Sequence, residues 1–229
     1  MRDDRMAALW VPDWPVLAAM SQEKLAAHHP VATVNSRQLT AISEVARRQG
    51  VRRGMRLRTA RAISPEVVFI LEDPLRDARI FERVLIAVDD VVAGVEIVRP
   101  GLLVFSAAGA LRHWGGDEVL AEQLIWAVAH HTGWESAVGR GEGLLGAVSA
   151  ARRSRLIAKG ETRQFLDPLP ITELVVAGIT PAHQRAELEQ LVDLLQRLGI
   201  RTLGQFRHLS DGDVNARFGS LGRWAHRLV

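Results

Sequence analysis

The sequence predicts an α+β protein in which an antiparallel or mixed sheet carries helices on one face. Strand-like and helical runs alternate, one pair of strands is adjacent across Pro100-Gly101, and the pattern becomes wholly helical after residues 167–170. With 229 residues, 48% of them hydrophobic and 24% charged, the chain can bury a sizeable core in more than one compact unit. It has no cysteine, which excludes disulfides and cysteine-ligated metal sites.

The first third of the chain predicts a compact α/β insert that follows the first strand. Pro12 ends that strand, and Gly50, a residue type common just after a helix, closes one of the helices. The predicted strands here are 7–11, 31–34 and 67–71, and the predicted helices are 16–27, 40–49 and 56–63.

The middle of the chain supplies most of the predicted sheet. The predicted helices are 75–92, 117–132 and 143–151, and the predicted strands are 94–98, 102–106, 136–139 and 162–165. The stretch Asp167-Pro168-Leu169-Pro170 is typical of a linker. Apolar runs stay well short of the ~20 residues of a membrane span. We therefore expect no membrane association and a cytoplasmic location.

A dense run of arginines indicates a polyanionic partner. The formal net charge is only +3, but eight arginines fall between residues 37 and 61 with one acid, Glu44, among them. They are Arg37, Arg47, Arg48, Arg52, Arg53, Arg56, Arg58 and Arg61. The planar guanidinium suits phosphate oxygens, which favours nucleic acid. A solvated basic face, or a site for an acidic protein, is the alternative.

The C-terminal segment predicts a helix-hairpin-helix. A helix that ends at Leu198 is followed by Gly199-Ile200-Arg201-Thr202 and a second helix, an arrangement whose backbone amides can hold a phosphate. Gly219, Gly222 and Arg223 belong to a second turn rich in glycine. Any helical hairpin with a glycine cap is the alternative interpretation.

Residues 46–55, Ala-Arg-Arg-Gln-Gly-Val-Arg-Arg-Gly-Met, resemble the fingers motif of the Y-family (UmuC/DinB-type) translesion DNA polymerases. Within that family, residues 9–16, residues 100–103 and His113-Trp114-Gly115-Gly116 are similar to ImuB, a catalytically inactive type. The resemblance implies a polymerase-like palm (1–14 and 76–166), small α/β fingers (15–75) and a helical thumb (167–229). It also implies that a little finger and a C-terminal tail are absent.

The resemblance further implies that the metal-binding acids are missing. Active relatives clamp two Mg²⁺ ions with carboxylates; here the first acidic positions are Trp10 and Pro12, and the second pair falls on Gly101-Leu102 or on Pro100-Gly101. We therefore predict no catalytic residue, no metal and no cofactor, with Arg47 as a remnant of nucleotide binding. The predicted DNA-binding residues are Arg48, Arg52, Arg53, Gly199, Arg201, Thr202, Gly219, Gly222 and Arg223.

These features predict a protein that is not an enzyme but a pseudo-polymerase, a DNA-binding adaptor in translesion synthesis and SOS-induced mutagenesis. An active but divergent translesion polymerase and an unrelated helix-hairpin-helix DNA-binding protein are the alternatives. The expected partner is primer-template DNA, held through its phosphates. By resemblance, the protein partners are a sliding clamp, a RecA-like accessory protein and an error-prone C-family polymerase, contacted largely through the missing C-terminal region.

Overall fold

The computed structural model of the protein describes residues 5–180 and 182–229, so the first four residues of the predicted palm lie outside the described part. The strands are Arg5–Trp10 (β1), Val31–Val34 (β2), Leu39–Ile42 (β3), Val68–Leu71 (β4), Glu96–Arg99 (β5), Leu102–Ser106 (β6) and Ala137–Glu142 (β7). They form a four-stranded antiparallel sheet, in the order β5-β6-β1-β7, and a three-stranded mixed sheet, in the order β3-β2-β4.

Helices account for most of the remaining residues. Those in the first two thirds of the chain are Trp14–Glu23 (α1), Glu44–Arg48 (α2), Leu57–Ile63 (α3), Pro74–Asp89 (α4), Ala108–Trp114 (α5), Asp117–Thr132 (α6) and Gly143–Ala151 (α7). Those after them are Thr162–Leu166 (α8), Glu173–Val176 (α9), Arg185–Arg197 (α10), Leu203–Arg207 (α11) and Asp211–Leu228 (α12), with a short 3₁₀ helix at Ala182–Gln184. No helix in the described ranges is both long enough and apolar enough to cross a membrane.

The four-stranded sheet is covered on both faces, whereas the sequence predicted helices on one face. Successive residues of a strand point to opposite faces. Leu9 packs with α4 and α6 in one core cluster, while Ala8 packs with α7 and the C-terminal helices in another. The prediction was wrong because β1 and β6 are apolar at successive positions, so both faces need cover.

Glycines in β7 explain how α7 reaches the second face. A Cβ atom added to Gly139 would overlap the backbone of Ala150 and Ala151, and one added to Gly141 would lie 2.9 Å from the carbonyl carbon of Gly146. The bare backbone of β7 therefore lets α7 lie directly on the strand. This close approach buries Leu145, on α7, completely.

Two predicted elements have a different structure. Residues 39–42 form β3, paired with β2, and the helix predicted over 40–49 begins only at Glu44, where the Ser43 side chain caps it. The strand predicted over 162–165 is the helix α8, whose buried residues, Thr162 and Leu166, are one helical turn apart. Runs of four or five residues are too short for their periodicity to distinguish a strand from a helical turn.

Candidate functional site

The predicted acid positions lie side by side in the four-stranded sheet. Trp10 ends β1 and is paired directly with Leu102 of β6, which in turn is paired with Arg99 of β5. Paired residues of neighbouring strands share a face. Arg99, Leu102 and Trp10 therefore form one row across the sheet, at the end where Pro12 and Gly101 make the adjoining turns.

Gly101 has no space for any side chain. Its φ of 85° lies in the left-handed region, and a Cβ atom there would overlap the Trp14 side chain, 2.9 Å from Cγ, and lie 3.2 Å from the carbonyl oxygen of Val11. The sequence predicts the lost acid pair at Pro100-Gly101 or at Gly101-Leu102, and both alternatives include residue 101. A carboxylate at residue 101 would require the turn to change.

The residues at these positions do not fit the divalent metal ions that the family resemblance implies. Indole, proline ring, glycine and leucine offer no oxygen ligand of the kind Mg²⁺ prefers. Within the described ranges, no group of three or more histidine or acidic residues could hold a metal ion. The row of Arg99, Leu102 and Trp10 instead combines apolar surface with a cation.

Arg47, the predicted remnant of nucleotide binding, is held by acids. Its guanidinium donates to Asp13 Oδ2 at 2.6 Å, to Glu44 Oε2 and, at 3.4 Å, to the carbonyl oxygen of Ile42. Burial lowers the pKa of Arg47, but the hydrogen bonds and charges of Asp13 and Glu44 outweigh it and the net shift is upward. Arg47 therefore ties the small sheet region to the start of α1.

The three other arginines predicted in this region, Arg48, Arg52 and Arg53, differ in whether they have hydrogen-bond partners. Arg48 donates to Glu44 at 3.1 Å, and Arg52 donates to the carbonyl oxygens of Arg47 and Val51 at 2.6 and 2.9 Å. Arg53 is exposed and makes no ion pair or hydrogen bond recorded among the described residues. The free cation of this trio is therefore Arg53.

The C-terminal hairpin does not offer the free backbone amides that the sequence predicts. Gly199 turns the chain after α10, and Thr202 and Gln205 form a reciprocal capping box at the start of α11. The amides of residues 199–205 all donate within the protein: to Gln196, Leu195, Gln205, Leu169, Asp167 and Thr202. A phosphate at this hairpin would have to be held by side chains, and Arg201 is exposed there.

The second predicted turn lies inside α12. Gly219 has non-helical φ and ψ angles and kinks the helix, and it is exposed. Gly222 is buried, and a Cβ atom there would overlap the Phe218 side chain, so this glycine serves packing. Arg223 is exposed on the same helix. Of the residues predicted here, Arg223 is the one whose side chain can reach a ligand.

Three arginines that the sequence did not indicate, Arg99, Arg152 and Arg185, lie in or near the row that contains Trp10. The guanidinium of Arg152 lies over the Trp10 ring, 5.2 Å from the centroid, within the range of a cation–π contact. Burial, together with the charges of Arg152, Arg185 and Arg53, lowers the pKa of Arg99 to about 10. We call Arg53, Arg99, Arg152 and Arg185 the cleft arginines. Arg53 belongs to the arginine run noted in the sequence, but Arg99, Arg152 and Arg185 come from three other parts of the chain, and no local pattern marks those three.

Comparison with known proteins gives a family. The sequence profile described as the impB/mucB/samB family matches residues 14–152. A curated relative, DNA polymerase IV of Desulfatibacillum aliphaticivorans, is 28% identical over 185 residues, which are 77% of this chain and 43% of the relative. The chain thus spans less than half the length of that relative.

Solved structures share the fold over nearly the whole chain. DinB from Sulfolobus solfataricus superposes with a TM-score of 0.71 at 14% identity, covering 98% of this chain and 66% of that one. A post-insertion binary complex of Dbh DNA polymerase gives a TM-score of 0.73 at 17% identity, with the same coverage. These similarities show a mixed α+β, polymerase-like fold.

The comparisons also correct one prediction. From the missing acids we predicted that the chain is not an enzyme, but its relative is named a DNA polymerase, as is a structural neighbour, and these names point to an enzyme. The absence of acids at Trp10, at Pro12 and at the pair within residues 100–102 does not outweigh that finding. By sequence profile and by fold, the chain belongs to the impB/mucB/samB family of Y-family polymerases.

Proposed function

We propose that this chain holds duplex DNA by its phosphates and acts as an adaptor during DNA synthesis past lesions. The observation that carries the proposal is a set of exposed arginines, in the helices α10–α12 and the turns between them, that make no side-chain hydrogen bond or ion pair recorded among the described residues. They are Arg201, in the turn between α10 and α11, and Arg217, Arg223 and Arg227 on α12.

Other arginines of the same helices show the contrast. Arg197 is paired with Asp193, and Arg207 donates two hydrogen bonds to Asp167 Oδ1 and one to Oδ2. Charges paired in this way are largely neutralised, whereas an exposed guanidinium without an acid can take a phosphate and release counterions. Arg201 and Arg223 therefore serve as the phosphate contacts of this region.

The adaptor part of the proposal rests on the ImuB-type resemblance of the residues around Trp10 and Pro100. That resemblance also suggests a sliding clamp, a RecA-like accessory protein and an error-prone C-family polymerase as partners. DNA binding draws support from the structural neighbours, one of which is described as a post-insertion binary complex.

The test is duplex binding by the Arg201→Ala/Arg223→Ala variant, measured by fluorescence anisotropy on a primer-template across a range of salt. Each phosphate contact contributes about 0.9 to the slope of log K against log salt. The double variant should bind about tenfold or more weakly at 0.1 M salt and lose about 2 from the slope. The loss should be similar for unrelated sequences, because phosphate contacts carry no base information.

The matched control is Arg79→Ala/Arg112→Ala, which removes the same charge from exposed positions on α4 and α5. It should leave the salt slope unchanged. Equal effects of the two double variants would reject a specific phosphate contact by the C-terminal helices. Synthesis across an abasic template, by the chain alone and beside a second polymerase, should fall in the double variant wherever the unmodified chain supports it.

A further inference from the structure

The end of the four-stranded sheet carries cations where the family resemblance implies metal ligands. Arg99 shares a row with Leu102 and Trp10, and the Trp10 ring bears the Arg152 guanidinium at 5.2 Å. Two positive charges therefore stand beside the positions that lack acids. An anion that approaches this end of the sheet meets guanidinium groups directly.

A cavity opens next to these charges. Its volume is ≈ 480 Å³, and it lies between the β5–β6 turn and the first C-terminal helices. Polar groups reach it from both sides, since Arg99 and Arg185 line it together with Thr180. The Thr180 hydroxyl is buried and has no hydrogen-bond partner within the described ranges. An unsatisfied buried donor of this kind is costly unless a ligand or water completes it.

Close packing places Arg99 at the cavity wall. A Cβ atom on Gly178 would lie 2.8 Å from Arg99 Nε and 3.2 Å from Nη2, so the glycine leaves the space that the guanidinium occupies. Among the described residues, the one hydrogen bond of the Arg99 side chain goes to the carbonyl oxygen of Pro100, at 3.1 Å. Several of its five N–H donors are thus available.

The acids nearby neutralise the cleft arginines only in part. Arg185 donates through Nε to Glu189 at 3.1 Å, and its two terminal NH2 groups have no recorded partner among the described residues. Glu173 lies 3.6 Å from Arg152 but is held more closely by Arg153. Neither Arg99 nor Arg53 has an acid partner among the described residues. Although Arg53 is exposed as a residue, partial shielding of its side chain from water, followed by the charge of Arg185, lowers its pKa. Like charges gathered in this way destabilise one another until an anion binds between them.

We propose that Arg99, Arg185 and Thr180, with Arg152 beside them, form a binding site for a phosphate group that needs no divalent cation. The ligand is either a free phosphate compound, such as inorganic pyrophosphate, or a phosphodiester of DNA. Both offer the oxygens that guanidinium groups bind in a bidentate manner. The free-ligand arm does not depend on DNA binding, so its failure is distinct from failure of the proposed function.

The test measures both ligands on the full chain in EDTA and again with Mg²⁺. Isothermal titration calorimetry with inorganic pyrophosphate should show binding in EDTA, and Arg99→Gln or Arg185→Gln should weaken it at least tenfold. Mg²⁺ should not tighten binding, because it competes for the same phosphate oxygens. If the site takes the DNA backbone instead, the same variants should reduce the salt slope for a primer-template by about 1 each.

Arg197→Gln is the matched control, since it removes the same charge from α10 at an exposed position paired with Asp193. It should leave both measurements unchanged. Arg99→Lys should retain part of the affinity, and Arg185→Gln tests the site independently should Arg99→Gln fail to fold. Binding that requires Mg²⁺, or no effect of either variant on either ligand, would overturn the proposal.

Discussion

The two faces of the four-stranded sheet are covered by different kinds of contact. On the face covered by α4 and α6, Trp14 makes edge-to-face contacts with Phe81 at 5.0 Å and with Trp134 at 5.1 Å, and its indole nitrogen donates to the carbonyl oxygen of Asp77. The face covered by α7 is also apolar at Ala8 and Leu102, but it ends in the cleft arginines.

The difference separates stability from ligand binding. Aromatic and aliphatic contacts on the α4/α6 face gain free energy by leaving water. At the end of the α7 face, the cleft arginines lie close enough together for their positive charges to repel one another. We therefore expect substitutions on the α4/α6 face to change stability alone, and substitutions among the cleft arginines to change ligand binding with little loss of stability.

The largest expected effect comes from Gly139→Ala, at the contact between β7 and α7. The added methyl group would overlap the backbone of Ala150 and Ala151, and backbone cannot move aside as a side chain can. Overpacking usually costs about 1–3 kcal/mol, and we expect about 4 kcal/mol here because the obstacle is a helix backbone. Urea unfolding measures the change.

Gly109→Ala in α5 is its control, because a Cβ atom there has nothing within 4 Å. This variant should be neutral or up to about 1 kcal/mol more stable, since alanine favours a helix over glycine. Equal destabilisation by both variants would contradict the close packing of α7 on the sheet.

Phe81→Ala probes the opposite face and should destabilise by about 3–4 kcal/mol. Phe81 is 2% exposed and packs edge-to-face on Trp14, so its removal leaves a cavity. Leu75→Ala, on the same helix at an 83% exposed position, should have almost no effect on urea unfolding. DNA and pyrophosphate affinities of folded Phe81→Ala should match those of the unmodified chain; a selective loss would break the division between the faces.

Glu173→Gln should destabilise by about 2–3 kcal/mol at pH 7. Glu173 is 3% exposed, accepts from Arg153 at 3.0 and 2.9 Å and from Ser149 at 3.0 Å. Burial raises its pKa, but hydrogen bonds and charges of the arginines outweigh burial and lower it below the usual 4.5.

The pH dependence of this variant follows from that direction. A carboxylate with a lowered folded-state pKa contributes stability above its ordinary pKa and loses it as the pH falls through the folded-state value. The difference in unfolding free energy between Glu173→Gln and the unmodified chain should therefore shrink below about pH 4.5. A difference that is the same at pH 7 and pH 3 would mean that the ion pairs do not stabilise this helix contact.

Long periodic elements could be predicted from the sequence. Helices α6 and α7 lie at the predicted residues, Asp117–Thr132 and Gly143–Ala151. The buried residues of α6 recur at helical spacing over successive turns, whereas α7 is a run of small and apolar residues that is buried at successive positions. The helix α5, over Ala108–Trp114, was not predicted; it has no buried residue to mark an apolar face. The second covered face was missed although β1 and β6 are apolar at successive positions, because the sequence does not show that the helix 143–151 packs directly on Gly139.

The candidate site was harder to predict than the fold. A dense run of arginines drew attention to Arg47, Arg48, Arg52 and Arg53. Acids or backbone carbonyls bind the first three, and only Arg53 has no such partner among the described residues. Arg99 and Arg185 are scattered in sequence and become neighbours only when the C-terminal helices pack against β5. The number of arginines in a stretch of sequence therefore did not predict which guanidinium groups are free to bind a ligand.

The smallest effect on stability is expected for Arg99→Gln, between no change and about 1 kcal/mol more stable at pH 7. The reason is that burial, and the charges of Arg152, Arg185 and Arg53, disfavour its cation. Because its pKa is lowered to about 10, the folded chain binds fewer protons than the unfolded chain above that pH. Any gain at pH 7 should therefore shrink as the pH rises beyond about 10.

Arg153→Gln, on the same face of the sheet, is the variant to compare with Arg99→Gln. Arg153 holds the buried Glu173 with two hydrogen bonds, so its loss should cost about 2 kcal/mol while leaving pyrophosphate affinity intact. The free energy of unfolding in urea and the pyrophosphate affinity by calorimetry, measured for both variants, distinguish an arginine that stabilises the fold from one that binds an anion. If Arg99→Gln destabilised the chain as much as Arg153→Gln does, Arg99 would be a structural arginine. The two faces of the sheet would then differ in composition, but both would serve stability and neither would be specialised for ligand binding.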